Sequence, residues 1–95
     1  MLELPAELTH AQAGACLQGL LKGLRDQSEP QVLLNAAALT RFDSSALAVL
    51  LELRRECLVQ GKTLALQATP TRLADLAHLY GIDSLLLSPS ADPVK

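Results

Sequence analysis

The densest cluster of polar side chains in the sequence falls in the segment LTRFDSSALAVLL, between two apolar runs. Its polar members are Thr40, Arg41, Asp43, Ser44 and Ser45. A turn that carries hydroxyl groups between a strand and a helix is compatible with three kinds of chemistry. It can present a serine nucleophile, cradle a phosphate, or offer the free N–H groups of a helix start to a partner.

The first two kinds of chemistry lack the residues that they need. The serines do not stand in the pattern G-x-S-x-G, and nothing in the sequence brings either His10 or His78 to Ser44 as a base. The phosphate-binding pattern G-x-x-x-x-G-K-[ST] is absent, and the spacing of the histidines and cysteines is not that of a metal site. We therefore predict a protein that is not an enzyme and that has neither a metal nor a cofactor.

Composition and charge exclude further classes of protein. The 95 residues suffice for one domain, and 49% of them are hydrophobic while only 2% are aromatic. The formal net charge of −2 and the scarcity of aromatic rings argue against nucleic-acid binding. Cys16 and Cys57 lie in helix-like apolar patterns, which is typical of buried thiols in a reducing compartment rather than of a disulfide.

The sequence carries no signal of direct membrane insertion. The segment MLELPAELTH has two acidic residues and neither Lys nor Arg, so it does not resemble a signal peptide. No apolar run approaches the roughly 20 residues that span a bilayer. We expect a cytoplasmic protein that meets a membrane only through a partner.

Strand-like and helix-like segments alternate along the chain. LEL predicts a short first strand, and Thr9 with Gln12 has the spacing of a capping box at the start of a first helix that ends at DQSEP. QVLLNAA predicts a buried central strand. Asp43 is the predicted N-cap of a second helix, from Ser44 to Gln60, and Gly61 ends it.

The last part of the chain predicts a third strand, KTLALQA, and a third helix within TPTRLADLAHLYG. We expect Thr69 to cap this helix, Pro70 to take its first position and Gly81 to end it. Its predicted inner stripe comprises Leu73, Leu76, Ala77 and Tyr80. IDSLLL predicts a short edge strand.

This alternation predicts an α/β fold, a small sandwich with a mostly parallel central sheet of about four strands and three main helices. We expect one domain over residues 1–87 and a disordered tail over residues 88–95, where Pro and Ser are frequent.

The apolar arc of the second helix is about twice the roughly 100° that a helix needs to pack on a sheet. Its centre holds Ala46, Leu50, Leu53 and Cys57, and Leu47, Leu51 and Leu58 extend it to Ser44. Either the third helix or a second copy of the chain covers the excess, or the excess is a docking face. In the second case the face comprises Ser44, Leu47, Ala48, Leu51 and Arg55.

The Asp43-Ser44-Ser45 turn also has two interpretations. In the structural one, Asp43 caps the helix and the serines hydrogen-bond to the local backbone. In the functional one, the helix start receives an acceptor group of a partner. A phosphate on Ser44 would be repelled by Asp43, so phosphorylation would act as a switch that adds charge.

The segment VLLNAAALTRFDSSALAVLL resembles the signature of the STAS domain family, an apolar strand that runs into a D-[ST]-x-G-[LV] turn. The resemblance extends from LELPAELT to LYGIDSLL, with Ala46 at the position of the usual Gly, Asn35 at that of the usual strand Asp, and the N-terminal strand pair reduced to one strand. The family includes bacterial anti-sigma-factor antagonists and the cytoplasmic domains of sulfate transporters.

Within that family, LTRFDSSAL and LADLAHLYGID are similar to the MlaB branch. The resemblance implies a small cytoplasmic subunit of a bacterial ABC complex that moves phospholipid between the inner and outer membranes. Its implied partner is the ABC transporter ATPase subunit, an MlaF-like protein, in a complex with a membrane permease. Ser44 stands where the branch has a Thr or Ser at the ATPase contact, and also where the anti-sigma-factor antagonists carry their phosphorylated Ser.

The predicted mechanism is docking of the second helix on the ATPase. Ser44 and Thr40 would supply hydrogen bonds, Asp43 would fix the turn, and Arg41 would pair with an acid of the partner. The predicted partner-binding residues are Thr40, Arg41, Asp43, Ser44, Ser45, Leu47, Ala48, Leu51 and Arg55. The alternatives are an anti-sigma-factor antagonist phosphorylated at Ser44 and, with no pocket signature to support it, a standalone ligand-binding module.

Overall fold

Five short strands and three helices make up the described part of the chain, which is residues 2–82 and residue 85 of a computed structural model. The strands are β1 (Leu2–Glu3), β2 (Glu7–Leu8), β3 (Gln31–Asn35), β4 (Arg41–Phe42) and β5 (Thr63–Gln67). The helices are α1 (His10–Arg25), α2 (Ser44–Val59) and α3 (Thr71–Leu79). The predicted α/β class with three main helices is confirmed.

The strands form two parallel sheets rather than one sheet of about four strands. In the larger sheet the order is β1-β3-β5, and Leu34 of β3 lies between Leu2 and Leu66 in register. In the smaller sheet β2 pairs with β4. The prediction missed this second sheet because two-residue strands leave no alternating pattern for a sequence to reveal.

The N-terminal segment therefore contributes two strands, where the sequence predicted one. Pro5 lies between them and has no N–H to donate to a continuing ladder. Before it, the Leu4 N–H donates to the Asn35 carbonyl at 2.9 Å. After it, the Ala6 carbonyl accepts from the N–H groups of Thr40 at 2.9 Å and Arg41 at 3.0 Å, so the chain changes its strand partner at this point.

The core is almost entirely aliphatic and lies between the larger sheet and the helices. Val32 and Leu34 of β3 and Leu50 and Leu53 of α2 have no exposed surface. Burying a side chain of this size stabilises the fold by about 1.5–3 kcal/mol. The four residues predicted at the centre of the buried face of α2 are all buried: Ala46, Leu50, Leu53 and Cys57.

The predicted helix ends are confirmed for α1 and α2. Gln12 Oε1 accepts from the Thr9 N–H at 2.8 Å, as the capping box requires. Gly61 follows α2 with a φ of +73°, a conformation that glycine adopts without strain. The Lys62 N–H donates to the Cys57 carbonyl at 2.7 Å, which completes a Schellman motif.

Three predictions for α3 are wrong. Pro70, expected at the first helical position, is instead the N-cap in place of Thr69, and no side chain caps the helix. Tyr80 was expected on the inner stripe, but it follows the last helical residue and its side chain is 56% exposed. Leu73 and Ala77 are buried as predicted, and Leu76 is half-buried. The predicted edge strand IDSLLL lies mostly outside the described residues, and the predicted tail lies wholly outside them.

The Lys62 side chain joins the end of α1 to the segment that follows α2. Its ammonium group donates to the Leu24 carbonyl at 3.3 Å and also to the Gln27 carbonyl. These carbonyls lie at the C-terminal end of α1, where a positive charge is favourable. Among the described residues, no helix is long and apolar enough to cross a membrane.

Candidate functional site

The Asp43 carboxylate accepts hydrogen bonds from the N-terminal residues of two helices. Its Oδ1 accepts from the Ser45 N–H of α2 at 2.8 Å, and its Oδ2 accepts from the His10 N–H of α1 at 3.2 Å. The hydrogen bond from Ser45, and then that from His10, lowers the pKa of Asp43 below its ordinary value. We call residues 40–45, where β4 leads into α2, the joint. The joint therefore holds an ionised carboxylate that fixes α1 and α2 side by side at their N-terminal ends.

Ser44 is the first residue of α2, and its side chain is exposed. Its hydroxyl makes no hydrogen bond to the residues that the structure describes, whereas both carboxylate oxygens of the neighbouring Asp43 accept hydrogen bonds. Ser45 is half-buried. Of the two serines, Ser44 is thus the one whose hydroxyl is open to solvent.

Thr40 and Arg41 are both exposed, but each already has a contact within the chain. The Thr40 hydroxyl donates to the Ala6 carbonyl at 3.3 Å. The Arg41 guanidinium lies 3.8 Å from the Glu7 carboxylate, its partner residue across the small sheet. These two side chains flank the joint and tie it to β2.

The predicted docking face of α2 is only partly open. Ser44, Ala48 and Arg55 are exposed, and Leu51 is half-buried against the core. Leu47 is 3% exposed and belongs to the core, so its expected place on an open face is wrong. A helix that packs on another helix as well as on a sheet buries a wider arc than a helix that lies on a sheet alone, and α2 packs against both α1 and β5.

A groove of about 480 Å³ lies between the start of α2 and the outer side of α3. We call it the Ser44 groove. The joint contributes Phe42, Asp43 and Ser44 to it. The α3 side contributes Arg72, Asp75, Leu76, Leu79 and Tyr80.

The α3 side of the Ser44 groove was missed by the sequence prediction. Leu79 is 77% exposed and Tyr80 is 56% exposed, which leaves two large apolar side chains in contact with solvent. The Arg72 guanidinium stands over the Phe42 ring, 5.4 Å from its centroid. The sequence did contain a signal for this exposure, because Leu79 does not lie on the same face of α3 as the buried Leu73 and Ala77.

A second groove, also of about 480 Å³, runs between α1 and α2. Ala48 and Glu52 line it from α2, and Gly14 and Leu17 are among the residues that line it from α1. Ser44, Ala48 and Arg55 form the exposed strip of α2, which we call the α2 strip. It therefore has a groove on each side.

His10 is closer to the joint than the sequence predicted, because its backbone N–H binds Asp43. No hydrogen bond joins the His10 side chain to the Ser44 hydroxyl in the described part of the chain. Among residues 2–82 and 85, no three His, Cys, Asp or Glu residues are grouped so that they could hold a metal ion. The local chemistry is that of a hydrogen-bonding surface.

The fold and the joint define a class of protein: a small α/β domain with parallel strands and an exposed serine at the turn from a strand into a helix. The family model described as "Mlab, STAS domain" matches residues 1–88. The chain therefore belongs to the MlaB-like STAS domain family, which confirms the resemblance seen in the sequence. A comparison with curated proteins gave no match.

Proposed function

We propose that this chain is a non-catalytic STAS subunit of a bacterial ABC phospholipid transport system, which maintains the lipid asymmetry of the outer membrane. In this role it binds an MlaF-like ATPase subunit and supports its assembly and activity. The observation that carries the proposal is the exposed Ser44, with an unengaged hydroxyl at the start of α2, in a chain of the MlaB-like family. Membership of this family implies a role in protein–protein interaction.

Docking would use the strip of α2 that begins at Ser44. The exposed Ser44 hydroxyl, at the positive end of the helix dipole, is a donor for an acceptor group of the ATPase. Ala48 is small and exposed, so a partner side chain has room to pack into the groove beside it. Asp43 keeps its hydrogen bonds to the first residues of both helices and so holds the turn in place.

The subunit would lie in the cytoplasm, peripheral to the inner membrane, because the ATPase in turn binds the membrane permease. Such an arrangement requires no membrane segment in this chain. The exposed α2 strip is the surface that would face the ATPase.

The test is co-purification with the ATPase subunit of the lipid-transport system from the same cell. We expect Ser44→Arg and Ala48→Glu each to abolish co-purification, because each places a long charged side chain in the contact. Ser28→Arg and Ala15→Glu are matched controls, since Ser28 and Ala15 are exposed and lie away from the strip. Thermal melts of all four variants should match the native protein, and unaltered co-purification of both strip variants would contradict the proposal.

The exposure of Ser44 also favours a second candidate, an anti-sigma-factor antagonist that a partner kinase phosphorylates at this residue. A phosphate would add roughly two negative charges next to the ionised Asp43 and would thereby repel an acidic partner surface. Intact-mass measurement after incubation with ATP and the partner kinase decides this case. A mass increase that is lost in Ser44→Ala would support it, and a gene neighbourhood with a permease and lipid-binding subunits would favour the transport role.

A further inference from the structure

The Ser44 groove carries more negative charge than the residues that the structure describes neutralise. Asp75 is exposed in the groove and forms no ion pair or hydrogen bond with the residues that the structure describes. Asp43, on the other wall, accepts hydrogen bonds from Ser45 and from the His10 N–H but forms no ion pair with the residues that the structure describes. The cation among the lining residues, Arg72, stands over the Phe42 ring and pairs with neither carboxylate.

The same groove has an apolar end. Leu79 and Tyr80 are both more than half exposed, and Leu76, in the last turn of α3, lines the groove with them. Covering apolar surface of this kind favours association, because it removes that surface from water. Apolar side chains that are left open beside an unpaired carboxylate form a surface complementary to a segment that is itself both apolar and basic.

We infer that the Ser44 groove receives a segment of the ATPase partner in which a basic side chain stands beside an apolar one. The basic group pairs with Asp75, and the apolar side chain packs against Leu79 and Tyr80. This inference rests on the proposed function and adds the chemistry of the partner segment and the contribution of α3. It also makes the contact sensitive to salt, because the charges involved are exposed.

Charge substitutions test the first part. The dissociation constant for the purified ATPase subunit would be measured by calorimetry at about 0.05 M and about 0.3 M NaCl. We expect Asp75→Asn to weaken binding by about threefold at low salt and Asp75→Lys by about tenfold or more. Native binding should weaken with salt, and binding by Asp75→Asn should weaken less.

Asp26→Asn and Asp26→Lys are the matched controls for charge. Asp26 is exposed at the C-cap of α1, far along the helix from the joint, and its side chain forms no ion pair in the described part of the chain. We expect both control variants to bind the ATPase as the native protein does.

The apolar part is tested by Leu79→Asn, with Val59→Asn as its control. The two side chains are similarly exposed, at 77% and 73%, but Val59 lies at the end of α2 and outside the groove. We expect Leu79→Asn to weaken binding by about fivefold or more and Val59→Asn to leave it unchanged. Because both residues are exposed, neither variant should unfold the protein, which a thermal melt would verify.

The outcomes separate the inference from the proposed function. If Ser44→Arg abolishes binding while the Asp75 and Leu79 variants bind like the native protein, the inference is wrong and the proposed function stands. If Ser44→Arg also binds normally, both are wrong. If the native chain forms a dimer in light scattering and Asp75→Lys converts it to a monomer, a second copy occupies the groove and the inference is overturned.

Discussion

The two ends of the α1–α2 pair use opposite charges for the same structural purpose. At the N-terminal end, the Asp43 carboxylate accepts from the N–H groups of His10 and Ser45. At the C-terminal end, the Lys62 ammonium donates to the carbonyls of Leu24 and Gln27. A negative group at helix starts and a positive group at a helix end both match the helix dipole.

The ends differ in what surrounds the charge. Lys62 is partly buried and its ammonium bonds only to the chain itself, so its role is confined to the fold. Asp43 is exposed and lines the Ser44 groove, next to a serine hydroxyl that has no bond within the described residues. The comparison indicates that one end of the helix pair serves the fold alone, while the other also leaves a groove and a serine hydroxyl open to solvent.

Removal of the Lys62 ammonium should have the largest effect on stability. Lys62→Met keeps the apolar stem but leaves two carbonyls at the end of α1 without their charged donor, and we expect the free energy of unfolding to fall by about 1–2 kcal/mol. Urea denaturation measures this change. Lys22→Met is the matched control, because Lys22 is exposed near the same end of α1, and it should change the free energy by less than about 0.5 kcal/mol.

The same Lys62 variant should bind the ATPase with its native dissociation constant when it is folded. Loss of binding without loss of stability would contradict the division between a structural end and a docking end.

The contribution of Asp43 to the stability of the fold should depend on pH. The hydrogen bonds from Ser45 and His10 lower the pKa of Asp43, whose ordinary value is 3.8, so its ionised form stabilises the native state above that value. That contribution is lost as the pH falls through the lowered pKa of the folded state. We expect the free energy of unfolding to decrease on acidification, and to decrease less steeply in Asp43→Asn, in urea denaturation at a series of pH values.

The control for this pH dependence is Asp26→Asn, in which an exposed carboxyl without a hydrogen bond in the described residues is neutralised. An Asp43→Asn profile that overlays the native one would show that the carboxylate does not fasten the two helix starts.

The ion pair between Arg41 and Glu7 should contribute least. The charged atoms are 3.8 Å apart and both side chains are mostly exposed, so Arg41→Ala should cost no more than about 0.5 kcal/mol in urea denaturation. A loss of more than about 1 kcal/mol would mean that this pair, and not Asp43, holds the N-terminal end.

Much of the fold could be predicted from the sequence, because its signals are local. Thr9 and Gln12, Asp43, and Gly61 mark helix ends through contacts within a few residues. The repeat of apolar residues at 3.6-residue spacing identified the buried side of α2 correctly, since it depends only on helix geometry.

The surface of the site could not be predicted in the same way. Leu47 and Tyr80 lie on the edges of apolar arcs, where periodicity does not decide whether a neighbour covers the side chain. Leu47 is buried and Tyr80 is exposed, the reverse of what was expected for each. The contribution of Asp75 to the Ser44 groove depends on how α3 packs beside α2, which no local pattern reports.

The sequence by itself determined where α1 and α2 start and stop, and which side of α2 is buried, because capping and amphipathic spacing act over a few residues. The tertiary structure alone decided that Asp43 binds His10, which lies 33 positions away in the chain, and that α3 supplies one wall of the Ser44 groove. Such contacts follow from the mutual packing of whole elements, and that packing minimises exposed apolar surface over the entire domain.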